Sequence, residues 1–461
     1  MAAVLVFVSS GAVLVLEILG IRLLAPYVGL TLETTTTIIG TVLAGIAAGS
    51  ALGGQAADRL DEKKLLASLL AAGGVLAVLT VPVVRGLGTA LRDGGDAAAF
   101  LVTLIALFPA AAVLSAVTPT VARMQLRDLA LTGSVVGRLS AFATAGGLVG
   151  TFLTGFVIVP LVPTDVAVLI VGGVLVALGV AVGASPLLAV GAVALGALTL
   201  AVGSPCDAET DYHCARVVED PSRASGRTLM LEELRHSYVD LEDPTYLEFD
   251  YAHWMGDAID ALPDGPIDAV FIGGGGFTLP RYVAATRPGS SSRVLEVDGP
   301  LVELVREELG LRTGPDLQVR VGDARVTLRD EPDGSADVVI GDAFGGRAVP
   351  WHLTTRELVE DVRRVLRPGG LYAINVIDYP PLELARAEVA TLLDVFEHVA
   401  VVAYDDPGGN LVLLASDTPI PEAALSADRG GTVHDAEDFA AGADPLRDDD
   451  APADQLLTPR A

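Results

Sequence analysis

The stretch Asp268-Ala-Val-Phe-Ile-Gly-Gly-Gly-Gly276-Phe-Thr-Leu-Pro280 reads as a short apolar strand that runs into a glycine turn and then a helix. Glycines let the backbone bend sharply and approach a ligand closely. Outward from this stretch the same alternation repeats. Candidate strands are 269–272, 293–297, 317–321, 336–340 and 370–376, and candidate helices are 277–286, 299–309, 354–366 and 381–394. Strands alternating with helices imply a mostly parallel α/β sheet covered on both faces. Residues 397–404 and 410–415 read as a closing hairpin across Asp405-Asp-Pro-Gly-Gly409.

Open parallel sheets bind ligands at the carboxyl ends of their strands. Gly273, Gly274 and Gly275 sit at the first such end. They form either a simple tight turn or a ligand-approaching one. No Gly-Lys-Ser/Thr follows, so a phosphate loop is excluded. Glu296, at the end of the second strand in Leu295-Glu296-Val297-Asp298, lies 23 positions beyond Gly273. An acid about 20 residues after the glycines bonds ribose hydroxyls in nucleotide-binding sheets. Asp298 is the better helix cap. Asp323 follows the third strand and either caps a helix or accepts from an adenine amine. Asp342, in Val338-Val-Ile-Gly-Asp342-Ala-Phe-Gly-Gly346, ends the fourth strand. It is either a turn residue or a carboxylate placed to take a proton from an amine.

The chain of 461 residues is 51% hydrophobic yet carries a net charge of −28. The two figures belong to different halves. Before Pro205 there are nine acids and nine bases; after it there are 49 acids and 21 bases. One soluble globule is excluded, and so is a nucleic-acid binder, which needs a basic surface. Residues 2–28, 35–57, 65–84, 97–122, 139–162, 165–183 and 186–203 are apolar runs. Each is near the roughly 20 residues that cross a bilayer as a helix. Residues 1–205 therefore read as an all-α transmembrane bundle of about seven helices in contact with membrane lipid. Glu17 and Arg22 fall in or at the end of the first run, and read as a carboxyl paired with a neighbouring helix and an interfacial arginine.

Basic residues gather at Arg59/Lys63/Lys64, Arg85/Arg92 and Arg123/Arg127/Arg138. The positive-inside rule puts the first and third groups in the cytoplasm. Gly53-Gly-Gln-Ala-Ala-Asp58-Arg59 resembles the cytoplasmic loop signature of major facilitator transporters, which supports the same orientation. Seven spans starting inside leave the acidic half outside; six or eight leave it inside. The two cysteines, Cys206 and Cys214, follow the last run. They are either ordinary thiols or a disulfide, which forms on an oxidising side. No metal site is expected. Residues 206–265 read as a small β-rich module, with strands at Arg216-Val-Val and Thr228-Leu-Met-Leu, and 266–420 as the parallel-sheet domain. Residues 421–461 read as an acidic, poorly ordered tail. Lys63 and Lys64 are the only lysines. An Asp-rich, lysine-free surface fits a halophile, where salt screens self-repulsion.

Residues 210–420 resemble the polyamine aminopropyltransferases, the spermidine synthase family, and the whole layout resembles the membrane-fused spermidine synthase-like proteins of prokaryotes. Tyr212-His213 falls where the family has Tyr-Gln. Glu242-Asp-Pro-Thr-Tyr246-Leu247-Glu248 falls at Asp-Glu-x-x-Tyr-His-Glu, and Ile272 to Gly276 at Ile-Gly-Gly-Gly-Asp. Leu295 to Asp298 matches Val-Glu-Ile-Asp, Asp323-Ala324 matches Asp-Gly, and Val339-Ile-Gly-Asp342 matches the strand with the catalytic Asp. The resemblance implies a methyltransferase-like Rossmann fold that binds decarboxylated S-adenosylmethionine and moves its aminopropyl group to a polyamine or other small amine. Asp342 would be the general base, Glu296 would hold the ribose and Asp323 the adenine. Gly273, Gly274 and Gly275 would line the nucleoside, and Tyr212, Tyr246 and Glu248 the amine side. A homodimer is a further expectation. The chain departs from the family at His213, Leu247, Gly276 and Gly345, several of which line the amine pocket in the family. This leaves two alternatives, an S-adenosylmethionine-dependent methyltransferase with another acceptor, or a polyamine-binding or transport protein without catalysis.

Overall fold

A computed structural model describes the backbone of residues 2–29, 32–91, 94–126, 132–345, 349–421, 425 and 430–458, without the side chains of residues 96 and 202. The chain divides into two units, Met1–Cys214 and Ala215–Ala461.

In the first unit all seven apolar runs are helical, and among the described residues six helices are long and apolar enough to cross a membrane. The seventh, Pro186–Val202, has 17 residues, about 25 Å at the α-helical rise. The fourth run is broken into Gly95–Ala106, Phe108–Ser115 and Val117–Gln125. Pro109 and Pro119 lie in the first turns of its second and third pieces, where a residue without an N–H interrupts the ladder least. Small residues bring the helices close. A Cβ on Gly49 would lie 1.9 Å from the Ala112 carbonyl oxygen, and one on Gly146 would lie 2.1 Å from that of Phe7.

Polar contacts mark the two ends of this helical unit. At one end Arg22 donates to the Thr210 carbonyl (2.6 Å), the Asp211 carbonyl (3.1 Å) and Thr164 Oγ1 (3.3 Å). Arg85 pairs with Asp165 at 2.9 Å and donates to the Thr199 carbonyl. Arg85 is therefore a helix-to-helix tie inside Glu62–Ala90, and the positive-inside count loses it as a loop charge. The same end carries β1 (Ala208–Glu209) and a disulfide between Cys206 and Cys214. The other end, a helix length away, carries Arg59, Lys63, Lys64, Arg138 and the Arg123–Asp58 pair.

The second unit opens with three antiparallel strands, β2 (Cys214–Asp220), β3 (Arg223–Leu231) and β4 (Leu234–Asp240). The module expected to be β-rich also contains a helix, Asp250–Asp260. Then come β5 (Asp268–Ile272), β6 (Ser291–Glu296), β7 (Leu317–Val321), β8 (Ala336–Gly341), β9 (Leu366–Asp378), β10 (His398–Ala403), β11 (Gly409–Ser416) and β12 (Thr432–Asp435). They form one sheet in the order β12-β10-β11-β9-β8-β5-β6-β7. Strands β5 to β9 pair in parallel and β11 runs antiparallel to β9. The alternation's mostly parallel α/β sheet is thus present, in the Rossmann-like, methyltransferase-type arrangement that the resemblance implied. The chain order reverses between β5 and β8, which opens a crevice at their carboxyl ends. Helices cover the sheet by amphipathic spacing; Arg356–Val365 buries Leu358, Val359, Val362 and Val365 and turns its charges to solvent.

Of the acidic stretch 421–461, expected to be poorly ordered, residues 422–424, 426–429 and 459–461 lie outside the described residues. Strand β12 pairs with β10, Leu446 and Ala453 are buried, and the Thr458 N–H donates to Asp378 Oδ1 at 3.0 Å. A few well-spaced apolar residues suffice to seat this stretch against a strand edge and a helix, despite its composition.

Arg287, buried at 7% exposure, caps the end of helix Asp250–Asp260. Its guanidinium donates to the carbonyls of Ile259 (2.7 Å), Pro263 (2.8 Å) and Leu262 (2.9 Å), among others. Arg287→Ala strands these acceptors and should cost about 3 kcal/mol, read as a lower midpoint in chemical denaturation. An unchanged midpoint would show that water replaces the guanidinium.

Candidate active site

The site is built on the reversal between β5 and β8. Gly273 has φ +93° and a Cβ there would lie 2.4 Å from the Asp342 carbonyl oxygen. Only glycine fits between the two strand ends, so the turn is more than a generic loop. The Asp342 N–H donates to the Ile272 carbonyl at 2.9 Å, which locks Asp342 beside the glycines.

Glu296, 7% exposed, organises that turn. Its Oε2 accepts from the N–H of Gly274 (2.7 Å) and Gly275 (3.4 Å), and its Oε1 from the N–H of Asp298 (2.9 Å). Burial pushes its pKa up, while the three N–H donors pull it back. Asp298 caps helix Gly299–Glu308 through the Leu301 N–H at 3.1 Å. Gly276 donates to Ser237 Oγ at 3.0 Å, and a Cβ at 276 would lie 2.9 Å from the Ser237 Cβ. The missing loop aspartate is thus matched to a β4 strand packed tightly on the turn.

Asp342 faces a cleft whose lining includes Glu248, Phe249, Tyr251, Phe271, Gly273, Gly274 and Ile340. Its Oδ1 accepts from Asn375 Nδ2 at 2.9 Å and its Oδ2 from the Tyr251 hydroxyl at 3.4 Å. Asn410 Nδ2 in turn donates to Asn375 Oδ1 at 2.9 Å and fixes that amide. Burial pushes the Asp342 pKa up to about 6, against the pull of the two donors. The Tyr251 hydroxyl is held well above the ordinary phenol range by burial and by the Asp342 charge, so it stays a donor. A carboxylate with its pKa near neutrality, in an aromatic cleft, can take up a proton there.

Tyr246 and Glu248 also meet: the Tyr246 hydroxyl donates to Glu248 Oε2 at 2.8 Å, and Arg235 lies 3.4 Å from Oε1. Asp323 caps the short helix Ala324–Thr327 through the Arg325 N–H at 2.8 Å, and its Oδ2 lies 3.3 Å from His352 Nε2. Tyr212 belongs to the first unit, half-exposed beside His213. Tyr251, Asn375, Asn410 and Ser237 were not foreseen from sequence. Asn375 did carry a signal, as a carboxamide inside the apolar run Leu371–Ile377. Tyr251 did not, because it sits on the unexpected helix.

No family model matches the chain. It is 27% identical over 158 residues to a polyamine aminopropyltransferase of Vibrio vulnificus, covering 34% of this chain and 52% of that protein. It is 26% identical over 200 residues to the polyamine aminopropyltransferase of Chromobacterium violaceum, covering 43% and 75%. Among solved structures, a probable spermidine synthase from Corynebacterium glutamicum is 30% identical with a TM-score of 0.49, covering 52% of this chain and 95% of that one. The similarity is spermidine synthase-like and partial, and the chain spans about half the length of the Vibrio relative.

Asn375 donates to the charged form of Asp342, so its removal favours the protonated form. Asn375→Ala should move the Asp342 pKa above its value of about 6, seen as an upward shift in a carboxyl NMR titration. A downward shift would contradict the hydrogen-bond geometry.

Proposed function

We propose that the protein is a membrane-bound, spermidine synthase-like aminopropyltransferase. The observation that carries this is Asp342, a carboxylate with its pKa raised to about 6 and fixed by Asn375 and Tyr251 at the sheet's reversal point. The donor would be decarboxylated S-adenosylmethionine, with its ribose near Glu296, its adenine near Asp323 and its nucleoside against the turn Gly273–Gly275. The acceptor amine attacks the carbon bonded to the sulfonium. A C–N bond forms, the C–S bond breaks and a neutral thioether leaves. Asp342 accepts the proton from the attacking nitrogen. Tyr246 and Glu248 would border the amine.

The test uses the full chain in detergent with labelled donor and an amine panel. Asp342→Asn should lower turnover by about 10²- to 10⁴-fold. The base must be ionised, so kcat/KM should rise with pH through about 6 and level off above it. A rate unaltered by Asp342→Asn would remove the proposal.

A second reading is favoured by the disulfide, namely a polyamine-binding protein without turnover. Positive-inside counting puts the end with Lys63 and Lys64 in the cytoplasm and the Cys206–Cys214 end outside. Ala215 follows Cys214 directly, so the second unit would face the oxidising side, away from a donor made in the cytosol. In intact cells a membrane-impermeant reductant followed by an impermeant maleimide should label Cys206 and Cys214. Labelling only after permeabilisation would place the second unit inside and strengthen the transferase reading.

A further inference from the structure

We infer that the acceptor is an amine with one basic nitrogen and an apolar remainder; this rests on the transferase reading. Two carboxylates, Asp342 and Glu248, line the described cleft. Much of the rest is hydrocarbon or aromatic: Phe249, Ala252, Phe271, Leu279, Pro280 and Ile340. An acceptor with two ammonium groups needs two anionic partners once water is displaced, since an unpaired buried charge is costly. Asp342 serves the attacking nitrogen.

Glu248 is already compensated. Arg235 lies 3.4 Å from its Oε1 and the Tyr246 hydroxyl occupies its Oε2 at 2.8 Å. The Arg235 guanidinium also lies 5.1 Å from the Phe249 ring centre, and that of Arg223 lies 3.8 Å from the Tyr246 ring centre. The Phe249 face beside Glu248, which could hold a second ammonium by cation–π attraction, therefore already carries a cation. A distal ammonium on this wall meets a positive neighbour, whereas a hydrocarbon chain meets Phe249, Leu279 and Pro280. The charge pattern selects against the diamine and the apolar wall favours the monoamine.

The test uses the full chain in detergent with labelled decarboxylated S-adenosylmethionine and 1-aminobutane, 1-aminohexane and 1,4-diaminobutane as acceptors. The monoamines should exceed the diamine in kcat/KM by about tenfold or more. Arg235→Gln frees Glu248 for a second ammonium and should raise the diamine-to-monoamine ratio about fivefold or more. Arg235→Lys keeps the charge and should raise it less. Arg235 is a surface side chain, 53% exposed, so folding is not at stake. A native preference for the diamine, or a ratio unmoved by Arg235→Gln, overturns this inference while leaving the transferase reading intact. Absence of transfer to every amine removes both.

Discussion

The second unit depends on one close approach. The Asp342 carbonyl oxygen stands 2.4 Å from where a Cβ on Gly273 would be. Parallel strands can be neighbours without their ends touching, but here β5 and β8 meet at the point where the chain order reverses. That contact demands glycine at 273, directs the Asp342 carboxylate into the cleft and gives the turn one conformation. Glu296 completes the constraint from the next strand by collecting the N–H groups of Gly274 and Gly275. The acid expected to meet a ribose is thus also the acid that shapes the loop, so a change at Glu296 acts on ligand contact and loop geometry together.

The electrostatics of the unit separate into a structural and a site component. Arg293 pairs with Glu331, Arg367 bridges Asp268 and Asp337, and Arg325 pairs with Asp448. These pairs bind segments far apart in sequence and consume cations that an acidic domain has in short supply. Among the described residues Asp342 has no such partner. Its neighbours are a phenol and a carboxamide, which hydrogen-bond without donating charge, so burial wins and the pKa rises. This sets it apart from the acids paired with Arg293, Arg325 and Arg367.

Much of this was legible in the sequence because it rests on local pattern. The strands around Gly273, Glu296 and Asp342 are short apolar runs closed by turn residues, and Asp298 sits where a helix cap belongs. Helix Asp250–Asp260 was not legible. It is 11 residues long, and its Gly256 is accepted because the neighbouring Leu247 side chain fills the space a Cβ would need. Tyr251 was lost with it. Asn410, on another strand and 35 residues away, acts through Asn375, a relation that only pairing of β9 with β11 creates. The docking of the tail was hidden because composition measures the mean, whereas docking needs only Leu446, Ala453 and an open strand edge.

Arg22 carries a consequence for assembly. Its partners on the Thr210 and Asp211 carbonyls come 188 and 189 residues later. Synthesis delivers the first helix long before the segment that completes its polar contacts. Until then the guanidinium lacks these carbonyl partners and must be solvated at the end of its helix. Closure of that end is a non-local event of the kind that slows folding, and it couples helix Ala2–Val28 to the segment that follows helix Pro186–Val202.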